Sequence, residues 1–250
     1  MPHAHGFLSD HFCVSLAAST LTQCIFPLNR NRERLKKNIR AYKPLRKDVP
    51  KPRILLIGQI SAGKSTFFNS INAVFRGYPI HQAESGFEGK SLSKKYMSYP
   101  ISDGRGGPEL PFILCDTMGL ERSDGEGGIH TEDILSVIKG HVHHRYTVSP
   151  TRRTDPHYRT KPTLADKVHC VVYVIDASSP HELNPSVLKK LNDIRLKVNG
   201  LVMEMKNYSS ELELSDAINI LLLGALQQML RAADSYFDNL NLNERGQITG

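Results

Sequence analysis

The chain has 250 residues, 40% of them in the broad hydrophobic class, with 18 Gly, 14 Pro and no Trp. That length and apolar share exclude a fibrous or mostly disordered chain and fit one large domain able to bury a sizeable core. The formal net charge is +7, yet residues 30–53 alone hold eleven basic and two acidic side chains, so the excess belongs to one segment and the remainder is slightly acidic.

The four cysteines, Cys13, Cys24, Cys115 and Cys170, have neither C-x-x-C spacing nor the density of a disulfide scaffold. Two of them fall in apolar runs that read as strands, which fits a reducing compartment and a soluble, intracellular chain. Phe12–Phe26 is mildly apolar, but it is interrupted by polar residues and preceded only by histidines, so it is not read as a secretory signal. No run approaches the length of a membrane span.

In chain order, residues 1–29 show no sustained period and read as a poorly ordered leader. Residues 30–52 read as a basic helix and linker: Leu35, Ile39 and Tyr42 recur at helical spacing, and Pro44, Pro50 and Pro52 end the helix. Its basic face reads as solvated helix surface in preference to a membrane or nucleic-acid patch, since no aromatic residues are interleaved for base stacking, and neither ligand is expected.

Arg53–Gly58 is a short β-prone run that stops at a glycine turn and leads into a helix over 65–75, with Phe68, Ile71 and Phe75 on one face. Tyr96–Ile101 reads as a weaker strand, Pro111–Asp116 and His169–Asp176 as buried strands, and Leu201–Met205 as one more. Apolar runs without alternation, separated by helical segments, indicate a mainly parallel sheet covered on both faces. Asn184-Pro185 starts a helix that Gly200 ends, and a last long helix spans about 215–236 with Ile218, Leu222, Leu226 and Met229 inward. Residues 119–167, glycine-rich and then polar around a short helix at Ile134–Ile138, read as a long mobile excursion from a domain spanning 53–240. Residues 241–250 read as a tail.

Gly58-Gln59-Ile60-Ser61-Ala62-Gly63-Lys64-Ser65 matches G-x-x-x-x-G-K-[ST] in full, after a strand and before a helix. The glycines let successive N–H groups face one point, where a phosphate chain meets a helix N-terminus. Lys64 then reaches the β- and γ-phosphate oxygens, and the Ser65 hydroxyl ligates Mg²⁺. A second Mg²⁺ group is needed at a neighbouring strand end. Asp116 fits best, because Asp116-Thr117-Met118-Gly119 is the D-x-x-G of GTPases, whose glycine amide contacts the γ-phosphate. Asp176, at the next strand end with Ala-Ser-Ser after it, reads as a structural turn.

Residues 58–66 (through Thr66), Phe112–Leu120, Phe67-Phe-Asn-Ser-Ile-Asn with Val74-Phe-Arg-Gly, and Asn207-Tyr-Ser-Ser-Glu211 resemble the interferon-induced protein 44 family. The resemblance covers about residues 34–240. It implies a GTPase-like P-loop domain of three layers, GTP or GDP with Mg²⁺ as ligands, a role in antiviral innate immunity with immune-signalling partners, and a mainly cytoplasmic location.

Three departures from a working GTPase are legible. Leu120 stands where Ras-like enzymes place the water-orienting glutamine. No threonine lies between Phe67 and Asp116, which leaves Ser93 as the nearest match to a switch hydroxyl, although it reads more simply as a loop serine. The guanine-reading [NT]-K-x-D is absent, and the fourteen residues between Gly200 and Ser215 are too few for strand, helix and strand. One α/β unit near residue 200 is therefore expected to be missing, as in a shortened form of the chain. Slow or no hydrolysis follows, with a non-catalytic pseudo-GTPase module as the alternative and an ATP-using enzyme disfavoured by D-x-x-G. His141, His143 and His144 have no cysteine or carboxylate at metal-ligand spacing and read as a solvated helix end. Met203, Met205 and Met229 read as core filler.

Overall fold

A computed structural model of the chain describes residues 13–15, 28–59, 62–78, 96–117, 119–120, 129–146, 158–176, 185–198, 202–207 and 216–248. The strands are β1 (Cys13–Ser15), β2 (Arg53–Gly58), β3 (Met97–Ser102), β4 (Glu109–Asp116), β5 (Cys170–Asp176) and β6 (Val202–Asn207). Between them lie α1 (Leu28–Arg40), α2 (Lys64–Arg76), α3 (Thr131–Ile138) and α4 (Pro185–Lys197), and α5 (Asp216–Ile248) follows. Among the described residues the strands form one sheet, ordered β1-β6-β5-β2-β4-β3. All neighbours are parallel except β3, which runs antiparallel to β4 at one edge.

Side chains alternate across a strand, so an unbroken apolar run must be buried twice. In β2, Ile54 and Leu56 join one apolar cluster with Leu35 and Ile39 of α1, Phe68 and Ile71 of α2, and Leu226 and Phe237 of α5. Leu55 and Ile57 point to the other face, into a cluster with Ile134 and Ile138 of α3 and Leu191 and Ile194 of α4. The result is a mixed α/β protein with helices on both faces of a mostly parallel sheet, as the apolar runs required. No helix among the described residues is long and apolar enough to cross a membrane.

Several boundaries differ from the sequence reading. Within residues 1–29, Cys13–Ser15 is not loose leader: it lies parallel beside β6, with Val14 opposite Met205. Three residues are too few to show a period, and the pairing is long-range, so nothing local announces it. Residues 241–248, expected as a tail, continue α5, and Arg46 bonds Asn241 and Glu244 there at 2.8 and 2.7 Å. The described parts of 119–167 pack rather than project, since Leu120, Ile129 and Val142 are buried with α3. Met229 fills the core as expected. Cys115 and Cys170 are buried and free, and burial pushes the Cys170 thiol up to about 12, which keeps it protonated and inert.

Of the three histidines just after α3, His143 and His144 are exposed, as expected of a solvated helix end, while His141 is partly buried, and two of them also make contacts that hold the chain. His141 stacks on Tyr158 with ring centroids 4.9 Å apart, and Ser98 donates its backbone N–H to His144 Nδ1 at 2.9 Å. His169 is a fully buried counterpart. Its Nδ1 accepts the Arg53 backbone N–H at 2.9 Å, and its Nε2–H donates to the Leu164 carbonyl at 3.0 Å, tying β5 to β2 and to the short turn Leu164–Asp166.

This arrangement holds only the neutral ring, and burial lowers its pKa to about 4 from 6.5. A lowered histidine pKa contributes stability that is fully present above the unfolded value and is lost as pH falls from 6.5 through 4, a window of about 3 kcal/mol. His169→Asn, whose amide can accept and donate without titrating, is expected to lose correspondingly less stability than wild type between neutral pH and pH 4. Parallel urea unfolding curves with identical pH slopes for the two proteins would contradict the assignment.

Candidate phosphate site

The carboxyl ends of β2 and β4 meet at the site. The strands pair in parallel, with Leu56 opposite Asp116, so Gly58 and Asp116 finish at the same end of the sheet. Both motif glycines have a local physical cause. A Cβ on Gly58 would lie 2.3 Å from the Val174 carbonyl oxygen of β5, so only glycine lets the two strands stay paired there. Gly63 takes φ of 87° at the N-cap of α2, the left-handed region where a side chain is strained. The loop therefore turns sharply and aims the N-terminus of α2 at the strand ends.

Lys64 opens α2 and is only 7% exposed. Its ammonium is folded onto the loop, donating to the Gln59 carbonyl at 3.0 Å and, more weakly, to the Gly58 carbonyl at 3.4 Å. Burial lowers its pKa, and the nearby Asp116 charge opposes that shift. Ser65 follows on the same turn, and its hydroxyl donates to Asp116 Oδ2 at 3.3 Å. Asp116 is 2% exposed, and burial pushes its carboxyl above the ordinary range against the pull of Lys64, the Ser65 hydroxyl and the Thr117 backbone N–H. Its Oδ1 is buried with no hydrogen-bond partner among the described residues. An unsatisfied buried carboxylate oxygen costs free energy, and a bound cation would satisfy it. The hydroxyl and carboxylate are hard oxygen donors of the kind Mg²⁺ takes, so the residues present fit that ion.

Gln59, Ala62, Gly63, Lys64, Ser65, Thr66, Asp116 and Gly119 all lie on this loop, helix start or strand end. Ile60, Ser61 and Ser93 fall outside the described residues. Asp176 ends β5 in register with Asn207 of β6.

Leu120 packs inward beside the phosphate loop. Its backbone N–H donates to the Gly58 carbonyl at 2.9 Å and it bridges to Gln59 in parallel, while its side chain, 2% exposed, enters the apolar cluster with Leu55 and Ile57. The position after Gly119 is thus a core anchor for the phosphate loop, with no polar side-chain atom.

These features define an α/β protein that carries a complete phosphate-loop sequence at the carboxyl ends of its central strands. The chain belongs to the interferon-induced protein 44 family. It is 33% identical to human interferon-induced protein 44-like across 90% of this chain and 61% of that protein. It is 34% identical to human interferon-induced protein 44 across 87% of this chain and 60% of that protein, and 30% identical to the mouse protein across 93% and 66%. The chain thus spans about three fifths of the length of the human relatives. No family model matches the chain. Among solved structures, a chain of the signal recognition particle receptor SRb–GTP/SRX complex from Chaetomium thermophilum is similar at 14% identity, covering 72% of this chain and 82% of that one, with a TM-score of 0.32. At that score the likeness carries no argument.

The alignment with the human 44-like protein runs over 275 positions, yet 90% of this 250-residue chain is only 225 residues, so about 50 positions face gaps in this chain. The relative carries extra residues inside the shared region.

Proposed function

We propose that the chain is a GTPase-like P-loop protein of the interferon-induced, antiviral response that binds GTP or GDP with Mg²⁺ and hydrolyses slowly or not at all. The observation that carries this reading is the unpartnered, buried Oδ1 of Asp116 beside Ser65 and Lys64 at the end of a complete phosphate loop. Ser65 and Asp116 would hold Mg²⁺, which when bound neutralises phosphate charge. Lys64 releases its loop carbonyls and pairs with phosphate oxygens. The loop amides and the start of α2 at Thr66 orient the phosphates, and Gly119 brings a backbone N–H toward the outermost one. The gapped alignment supports a shortened chain lacking one α/β unit near residue 200. A cytoplasmic location and immune-signalling partners belong to the same reading.

Leu120 specifically favours the second reading, a non-catalytic interaction module. A leucine held in the core cannot orient a water, so turnover by the protein alone is expected to be no faster than the intrinsic Ras rate of about 10⁻⁴ s⁻¹. Phosphate release near about 1 s⁻¹ in single-component assays would overturn this.

The metal role is tested by Asp116→Asn, a nearly isosteric change that removes the charge. Wild type is expected to bind a fluorescent GTP analogue more tightly with Mg²⁺ than with EDTA by about tenfold or more, and the variant is expected to lose that difference. Equal affinity with and without Mg²⁺ in wild type would remove Asp116 and Ser65 from the metal site.

A further inference from the structure

The basic segment divides sharply once its partners are counted. Of the eleven cationic side chains between Arg30 and Arg53, Arg32, Arg40, Arg46 and Lys51 pair with carboxylates, and Lys36 and Arg53 donate to backbone carbonyls. The other five, Arg30, Arg34, Lys37, Lys43 and Lys47, are exposed and have no carboxylate partner among the described residues. Arg34 touches only Asn31 of its own helix.

Their placement is not scattered. Arg30, Arg34 and Lys37 stand at i, i+4 and i+7 on α1, which puts them in one stripe on the face opposite Leu35 and Ile39, the residues α1 buries. Just beyond the helix, Lys43 and Lys47 flank Leu45, a leucine left 51% exposed. Leu45 is held outward by its backbone, because its N–H donates to Asp234, which also accepts from the Tyr42 hydroxyl. The Tyr42 ring packs against the core, so the segment offers no free aromatic ring for base stacking.

We propose that this face of α1 and the turn after it docks on an anionic lipid bilayer, with Arg30, Arg34, Lys37, Lys43 and Lys47 against headgroups and Leu45 entering the interface. Unpaired cations on a rigid stripe beside a protruding apolar side chain are complementary to a surface of dense negative charge over hydrocarbon. A nucleic acid would use the charges but not Leu45, and would call for stacking rings that the segment lacks. The inference does not depend on nucleotide binding, since none of these residues belongs to the phosphate loop.

The full chain should co-sediment with phosphatidylcholine vesicles containing phosphatidylserine and not with pure phosphatidylcholine, and the binding should weaken as salt rises. Each basic residue near such a surface is worth about fivefold in affinity, so Arg34→Glu with Lys37→Glu should reduce binding by about tenfold or more. Leu45→Ser should weaken it at unchanged charge. All three side chains are exposed, so thermal unfolding should be unaltered; the neutral pair Arg34→Gln with Lys37→Gln, expected to weaken binding less than the charge reversal, serves if the reversed one unfolds. No preference for phosphatidylserine, wild-type binding by the charge-altered variants, or tighter binding to duplex RNA than to the vesicles at equal salt would each overturn the proposal.

Discussion

Lys64→Ala is expected to lower affinity for a fluorescent GTP or GDP analogue about 100-fold or more, while moving the thermal midpoint by less than about 5 °C. The two effects separate because of how the ammonium is held. It donates to the Gly58 and Gln59 carbonyls, but each has a second donor: the Leu120 N–H reaches Gly58 and the Ala62 N–H reaches Gln59. Removing the ammonium strands neither oxygen. Burial already lowers the pKa of Lys64, so keeping a charge there costs folding free energy, which offsets the loss of its buried methylenes. On the binding side, charge-assisted bonds to phosphate are worth about 1.5 to 3 kcal/mol each, and neutral loop amides cannot replace them. Titration by fluorescence anisotropy, with a melting curve on the same samples, checks both halves. Unchanged affinity would remove Lys64 from the phosphate site, and a collapse of the melting temperature would mark it as a structural lysine.

What could be read from the sequence was what local chemistry dictates. Gly63 is glycine for a dihedral reason local to the turn, the motif spacing marked Gly58 although the clash that requires it comes from Val174 of β5, and β2 and α2 flank them with unambiguous periods. The inward stripes of α1, α2 and α5 were legible for the same cause. Long-range pairing was not. Cys13–Ser15 is a strand through its pairing with β6, and beyond Tyr236 α5 meets Arg46, far away in sequence, at Asn241 and Glu244. Within the site, Asp116 and Ser65 could be named from spacing, but the orphaned Oδ1 and the burial of Leu120 are products of packing. Leucine after Gly119 could be read as the lack of a glutamine. Its positive role, anchoring the phosphate loop through Gly58 and Gln59, needed the fold.

GTP and ATP are expected to compete for the site with affinities within about tenfold of each other, whereas a site that hydrogen-bonds its base discriminates by about 10⁴ or more. The chain contains no [NT]-K-x-D to accept from the guanine N1–H and exocyclic amine. The region that would supply one is also short, since β6 ends at Asn207 and α5 starts at Asp216. About 50 aligned positions of the human 44-like protein lack counterparts in this chain. Phosphate contacts then supply most of the binding, and they are the same for both nucleotides. The outer edge of β6, which would otherwise offer unpaired N–H and C=O groups, is covered by β1. Removing residues 1–27 is therefore expected to leave nucleotide affinity unchanged but to promote association through the bared edge. Inserting the relative's extra residues between Asn207 and Asp216 is expected to raise the preference for GTP. Competition of the two nucleotides against one fluorescent analogue, with light scattering on the truncated chain, reads each effect separately. A strong GTP preference in the unmodified chain would show that its base is read by residues other than the missing tetrapeptide, and a truncated chain that stays monomeric would show that β1 is not what protects the edge.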